Sequence, residues 1–219
     1  HKQMNSLSFS PVMHGTNPPA IRLANRLVEL APGDIAAVKF FTGGAESTEG
    51  AIKMVRQYHN LTGHPNKYKI ISRYQSWHGS TMGSLSASGV ASRRAVNEPL
   101  APGFIHVFPP TCYRCPFGKT YPDCEITCAS LIEDVILSEG PDTVAMFLAE
   151  PVQGAGGVIV PPVDYFPRIR KICDKYDVLL VSDEVICAFG RIGHMFACDA
   201  YGYQPDMITF AKAVTSGYS

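Results

Sequence analysis

Residues 177–217 read DVLLVSDEVICAFGRIGHMFACDAYGYQPDMITFAKAVTSG, and two apolar runs inside this stretch decide the fold. The first, DVLLVSDE, is almost continuously apolar and carries a carboxylate, Asp183, at its end. The second, MITFA, stops just before Lys212. Unbroken apolar runs of this length are what strands show when helices cover both faces of their sheet. Two such strand ends can lie side by side in a parallel sheet, so an aspartate and a lysine 29 positions apart can face one ligand.

Working outward, the same alternation of short apolar runs and helical spacing fills the chain. TVAMFLAE, KYKIISR, residues 105–108 and AAVKFFT (ending at Thr42) read as strands. Between them, Pro18–Leu30 places Ile21, Leu23, Ala24, Leu27, Val28 and Leu30 at helical spacing after a proline-rich start. Residues 45–61 put Ile52, Val55 and Tyr58 on one helical face, and stretches near 128–138 and 164–176 also read as helices. The expectation is an α/β protein, a three-layer αβα arrangement around a mostly parallel central sheet. Several strands end in a polar residue, Arg73, Glu150 and Asp183 among them. Ligands of open α/β sheets bind beyond the carboxyl ends of the strands, so these endings are where chemistry belongs.

Composition narrows the partners. The chain has 19 basic and 19 acidic side chains, so it has no broad field to gather nucleic acid or an anionic membrane, and a small-molecule substrate is expected. With 46% hydrophobic and 17% charged residues it has globular composition, and 219 residues suit one or two domains. No apolar run reaches the roughly 18 residues of a membrane span, and no signal-peptide layout is seen, which gives a cytoplasmic expectation.

Of the seven cysteines, Cys173, Cys187 and Cys198 lie in or beside apolar stretches and read as small core residues. The other four, Cys112, Cys115, Cys124 and Cys128, fall in a Pro- and Gly-rich segment whose spacing could ligate zinc or form disulfides. The second pair is CxxxC where zinc sites favour CxxC, and a reducing compartment disfavours structural disulfides. The segment is therefore read as a surface loop, residues 109–123, with no metal.

Three segments could do chemistry. In FFTGGAESTEGAIK, Gly43 and Gly44 precede a helix beginning near Ala45, offering backbone N–H groups and a positive helix end to a phosphate. There is no Gly-Lys-Ser/Thr of a nucleotide P-loop, and a Gly-Gly before a helix is most often just a tight turn. In SRYQSWHGSTMGSLSASG, the chain's one tryptophan, Trp77, stands next to His78 and Gly79, where an indole can stack on a flat heteroaromatic ring. The third is the Asp183 and Lys212 pair. Pyridoxal-phosphate chemistry needs such a pair: a lysine for the imine and the proton, an aspartate to keep the pyridine nitrogen protonated. Taken singly, each has an ordinary reading, as a helix cap or a solvated lysine.

In this order the segments resemble the class III, omega-type aminotransferases of pyridoxal-phosphate fold type I. The likeness rests on GGAESTEGAIK, YQSWHGST, AEPVQGAGGVIVPP, SDEVICAFGRIG and TFAKAVTSGY. It implies pyridoxal 5'-phosphate as cofactor, with Lys212 as the Schiff-base lysine and Asp183 bonded to the pyridine nitrogen. Val185 would pack on one ring face, and Trp77, beside His78, takes the place over the other face where the family usually has tyrosine or phenylalanine. Gly44 and Ala45 match the phosphate-binding turn, and Glu150 and Gln153 the polar pair near the substrate side and the ring hydroxyl.

The implied activity is ping-pong transfer of an amino group from an amine or amino acid donor to a keto acid or aldehyde acceptor, in a homodimer. Aminomutase, epimerase and decarboxylase chemistry of the same fold is the alternative. A non-catalytic binding protein or a dinucleotide oxidoreductase is the reading from another class, and the lack of G-x-G-x-x-G counts against the latter. Two departures stand out. Gly43-Gly44-Ala45 replaces a turn that often carries serine, shifting phosphate binding toward backbone N–H groups. The family also has a segment before the matched region and a small C-terminal domain after it, so residues 1–219 are expected to be part of the cofactor-binding large domain.

Overall fold

The computed structural model describes residues 2–7, 9, 10, 13 and 15–218. The chain divides into two compact units, His1–Phe40 and Phe41–Ser219. The first holds helices α1 (Lys2–Ser6) and α2 (Pro18–Leu30). Asn17 caps α2 by accepting the Ala20 N–H at 3.0 Å, and Pro18 opens the helix where no N–H is needed. Leu27 is the one buried residue of α2; Ile21 and Leu23, read above as part of its apolar face, are exposed.

The second unit runs α3 (Gly44–Leu61), β1 (Lys69–Arg73), α4 (Met82–Ala87), α5 (Ala91–Arg94), β2 (Phe104–Val107) and α6 (Thr127–Glu139). It continues through β3 (Val144–Ala149), α7 (Tyr165–Lys175), β4 (Leu179–Asp183), α8 (Ala197–Ala200) and β5 (Met207–Thr209). The five strands form one sheet in the order β2-β1-β3-β4-β5, and every pairing is parallel. The order reverses direction after β2, so β1 and β3 flank the point where the winding switches and β3 is the central strand. All six residues of β3 are buried, the condition its unbroken apolar run foretold.

Ala51, Ile52 and Val55 of α3 and Ala87 of α4 pack on Ile70, Met146, Leu148 and Val181 of the sheet. Burying each large aliphatic side chain contributes about 1.5–3 kcal/mol. The pair α6 and α7 supplies the other helical layer through buried Ile132, Ile136, Ile169 and Ile172, which completes the αβα arrangement.

Two expectations need correction. AAVKFFT forms no strand; residues 36–41 carry no regular structure, and Phe40 and Phe41 are 46% and 38% exposed. A β-prone run becomes a strand only when a ladder partner accepts it, and none of the five sheet strands does. On α3, Tyr58 is exposed, and the buried face runs instead through Thr48, Ala51, Ile52, Val55 and His59.

Candidate active site

The carboxyl end of β4 delivers Asp183, which is 2% exposed. Its Oδ2 lies 2.6 Å from His78 Nδ1, and its Oδ1 accepts the Val185 N–H at 3.2 Å. A carboxylate only accepts, so the short contact places the imidazole proton on Nδ1. The partner arrives from the turn after β1, where the His78 N–H donates to Ser88 Oγ at 2.8 Å and ties that turn to the end of α4. Charge-assisted bonds between such deeply buried groups fix the carboxylate's direction.

Asp183 pairs in register with Thr209 of β5, and Lys212 follows three residues later. Three residues of chain span at most roughly 11 Å, so the Lys212 backbone lies near the carboxylate's strand end. Lys212 is solvent-exposed and opens a 3-10 turn, Lys212–Thr215, with φ at +49°. A lysine in the left-handed region is strained by about 1–3 kcal/mol, and such strain gathers at functional positions.

The start of α3 closes against both. A Cβ built on Gly44 would stand 3.1 and 3.2 Å from the two Val185 methyl carbons and 3.4 Å from Ala211 Cβ. Glycine lets the first turn of α3 come this near to the residues flanking Asp183 and Lys212, where a Cβ would press on the Val185 methyls. The free N–H groups of that turn therefore point out beside the β4 and β5 ends. Gly79, at φ +135°, does the same service for the tryptophan turn: a Cβ there would fall 2.6 Å from Ala45 Cβ. Glu49 of α3 locks the two segments together, accepting Thr81 Oγ1 at 2.6 Å and the Ser84 N–H at 3.0 Å.

Glu150 follows β3 and is 3% exposed. Its Oε1 accepts the Trp77 N–H at 3.2 Å, and burial raises its pKa to about 7. Arg73, at the end of β1, donates to the Glu150 carbonyl and lies over the Tyr165 and Phe166 rings. Gln153 Nε2 donates to the Tyr74 carbonyl at 3.0 Å. The Trp77 ring carries the Arg93 guanidinium 4.7 Å from its centroid.

Thus Gly44, Ala45, Trp77, His78, Glu150, Asp183, Val185 and Lys212 are joined by direct contacts or adjacent strand ends, and Gln153 follows Glu150 on the same exit. Among the described residues, His78 Nε2, Glu150 Oε2, Gln153 Oε1 and Thr209 Oγ1 are buried without a hydrogen-bond partner. Each such atom costs about 1–3 kcal/mol if left unsatisfied, so their gathering at one sheet edge fits a polar ligand. The sequence names His78 as a cofactor-side residue beside Trp77, but not its bond to Asp183, and it passes over Glu49 and Thr209, which no local signal marks.

Fold and site together define an open parallel α/β protein with buried polar side chains gathered at the carboxyl edge of its sheet. The chain belongs to the class-III aminotransferase family, whose pattern it matches over residues 1–219. It is 51% identical over 218 residues to a probable aminotransferase of Mycobacterium tuberculosis, covering 100% of this chain and 47% of that protein. An (S)-enantioselective omega-transaminase from Thermomicrobium roseum superposes with a TM-score of 0.95 at 47% identity, over 99% of this chain and 49% of that one. The omega transaminase of Pseudomonas jessenii in complex with PMP gives 0.95 at 41% identity, over 100% and 49%. The chain spans about half the length of the relatives it matches.

Proposed function

We propose that residues 1–219 supply the pyridoxal-phosphate side of an aminotransferase site, with Lys212 as the covalent anchor and Asp183 as the partner of the ring nitrogen. The observation that carries the reading is the buried His78–Asp183 pair at 2.6 Å, set beside the strand that leads to Lys212 and against the Gly44 turn. The orphaned polar atoms at this edge are what a phosphorylated hydroxypyridine can satisfy.

When bound, the cofactor supplies an electrophilic carbonyl and a protonated ring that draws electrons from the substrate carbon. Asp183, oriented by His78 and the Val185 N–H, would hold a proton on the ring nitrogen. Val185 and Trp77 would be the apolar groups against the ring, and the N–H groups of Gly44 and Ala45, at the positive end of α3, would hold the phosphate. Gln153 Oε1 and Glu150 would serve the ring hydroxyl and the substrate side. Lys212 Nζ would be the covalent anchor and the proton-carrying group.

The proposed reaction moves an amino group from an amine or amino acid donor to a keto acid or aldehyde acceptor in a homodimer, an assembly carried over from the family likeness. Borohydride reduction of the protein loaded with pyridoxal phosphate, followed by peptide mapping, tests the anchor. The adduct is expected on Lys212, and Lys212→Ala should lose both the adduct and the visible absorption band. An adduct on another lysine, or a band that survives Lys212→Ala, refutes the assignment. With pyruvate as acceptor, the full-length enzyme should form alanine.

A further inference from the structure

The four cysteines between β2 and α6 take no part in the site above. Cys112, Cys115, Cys124 and Cys128 all line one pocket, whose other walls include Pro110, Phe117, Tyr121 and Pro162. All four are free thiols; Cys112 is exposed and the other three are partly so. Among the described residues no group of three or more His, Cys, Asp or Glu side chains is placed to hold a metal ion. The remaining chemistry open to clustered, accessible thiols is with one another. Cys173, Cys187 and Cys198 contrast with them: all three are buried, and burial pushes the first two thiols up to about 12.

We propose that Cys112 and Cys124 form a reversible disulfide when the protein meets a peroxide, so that the loop between β2 and α6 is an oxidative modification site. Cys112 is the most exposed of the four thiols and lies at the start of a 3-10 turn, Cys112–Arg114, lining the same pocket as the segment that enters α6. Cys124 lines the same pocket from the turn that leads into α6, a turn fixed by the Cys124 N–H bond to the Thr120 carbonyl at 2.9 Å. Cys128 differs in standing within the first turn of α6, partly buried, and burial raises its thiol to about 11. The Cys112 thiolate attacks the peroxide O–O bond, giving a sulfenic acid and hydroxide, which takes up a proton to become water. The Cys124 thiolate then displaces hydroxide from that sulfur, and the S–S bond forms as a second water is released. Two thiols and one peroxide become one disulfide and two waters, with the two electrons passing to the peroxide oxygens.

The experiment uses the native protein, treated with hydrogen peroxide, alkylated without reduction and cleaved after Arg114, Lys119 and Glu125, which puts each cysteine of the cluster on its own peptide. The expected result is a Cys112–Cys124 linked peptide, loss of two alkylatable thiols, reversal by dithiothreitol, and faster formation as pH rises, because burial raises the Cys112 thiol. In Cys124→Ser, Cys112 should pass on to sulfinic acid with no link formed. Four thiols still alkylatable after peroxide, a link between Cys112 and Cys115, cross-links only between molecules, or stoichiometric zinc that shields the thiols as purified would each overturn the proposal.

Discussion

The edge of β4 around Asp183 and the loop that leaves β2 begin at the same end of one sheet, yet they are built by opposite means. At the β4 edge carboxylates are tied to other elements: Asp183 to His78, Glu150 to the Trp77 backbone, Glu49 to Thr81 and Ser84. In the loop, residues 109–126 contain only a 3-10 turn and hydrogen-bonded bends, and Tyr113 is 91% exposed. The contrast shows where the fold's precision resides. The strands between the two helical layers position the candidate site, whereas the loop is held by short-range turns and by the bond from Arg168 to the Glu125 carbonyl, and is free to carry chemistry of a different kind.

Four substitutions can break or sharpen that contrast. The largest effect is expected from Phe147→Ala, in the wholly buried central strand behind the site, at about 3–5 kcal/mol of unfolding free energy in urea. A loss below about 1 kcal/mol would mean that the sheet does not set the rigidity of the edge. Next is His78→Leu, which leaves the Asp183 carboxylate buried without its imidazole. Removing one member of a buried pair costs about 3–5 kcal/mol, so a loss of about 3 kcal/mol is expected, together with weaker retention of pyridoxal phosphate measured by dialysis. If stability falls but cofactor retention does not, His78 supports the fold alone.

The third concerns pH. Burial raises Glu150 from 4.5 to about 7, so the folded state binds its proton more tightly than the unfolded chain does. Its contribution is therefore fully present below pH 4.5 and is lost as pH rises through 7. At 1.36 kcal/mol per unit the loss across that window is about 3 kcal/mol. Glu150→Gln should remove this slope, and the test is the difference between the two proteins' unfolding free energies at pH 5 and pH 8. Parallel pH profiles would show that Glu150 is not held apart from solvent.

Much of this was legible beforehand, for physical reasons that differ from element to element. The strands β3 and β4 declare themselves because burial on both faces leaves no polar residue in the run until the strand ends, and that ending is the site residue. Gly44 could be picked out as a turn, but not the reason glycine suits it: the Val185 and Ala211 side chains that crowd it come from positions more than 140 residues away. The His78–Asp183 bond joins residues 105 apart and has no local signature for the same reason. AAVKFFT misled because β-propensity is a statement about packing partners, and the sheet offers this segment none. The cysteines were visible as a spacing, whereas their convergence on one cavity is a property of the folded loop.

The smallest effect tests the other half of the contrast. Tyr113 lies between Cys112 and Arg114 in the 3-10 turn, and the Arg114 guanidinium lies 5.7 Å from its ring centroid. At 91% exposure the side chain withdraws little surface from water, and an exposed cation–π contact contributes about 0.5–1 kcal/mol at most. Tyr113→Ala should therefore shift the unfolding free energy by no more than about 0.5 kcal/mol in either direction. It should also leave the peroxide chemistry of Cys112 unchanged. A loss of 2 kcal/mol or more would show that the turn is docked as firmly as the strand ends, and the two regions would then be one continuous rigid scaffold.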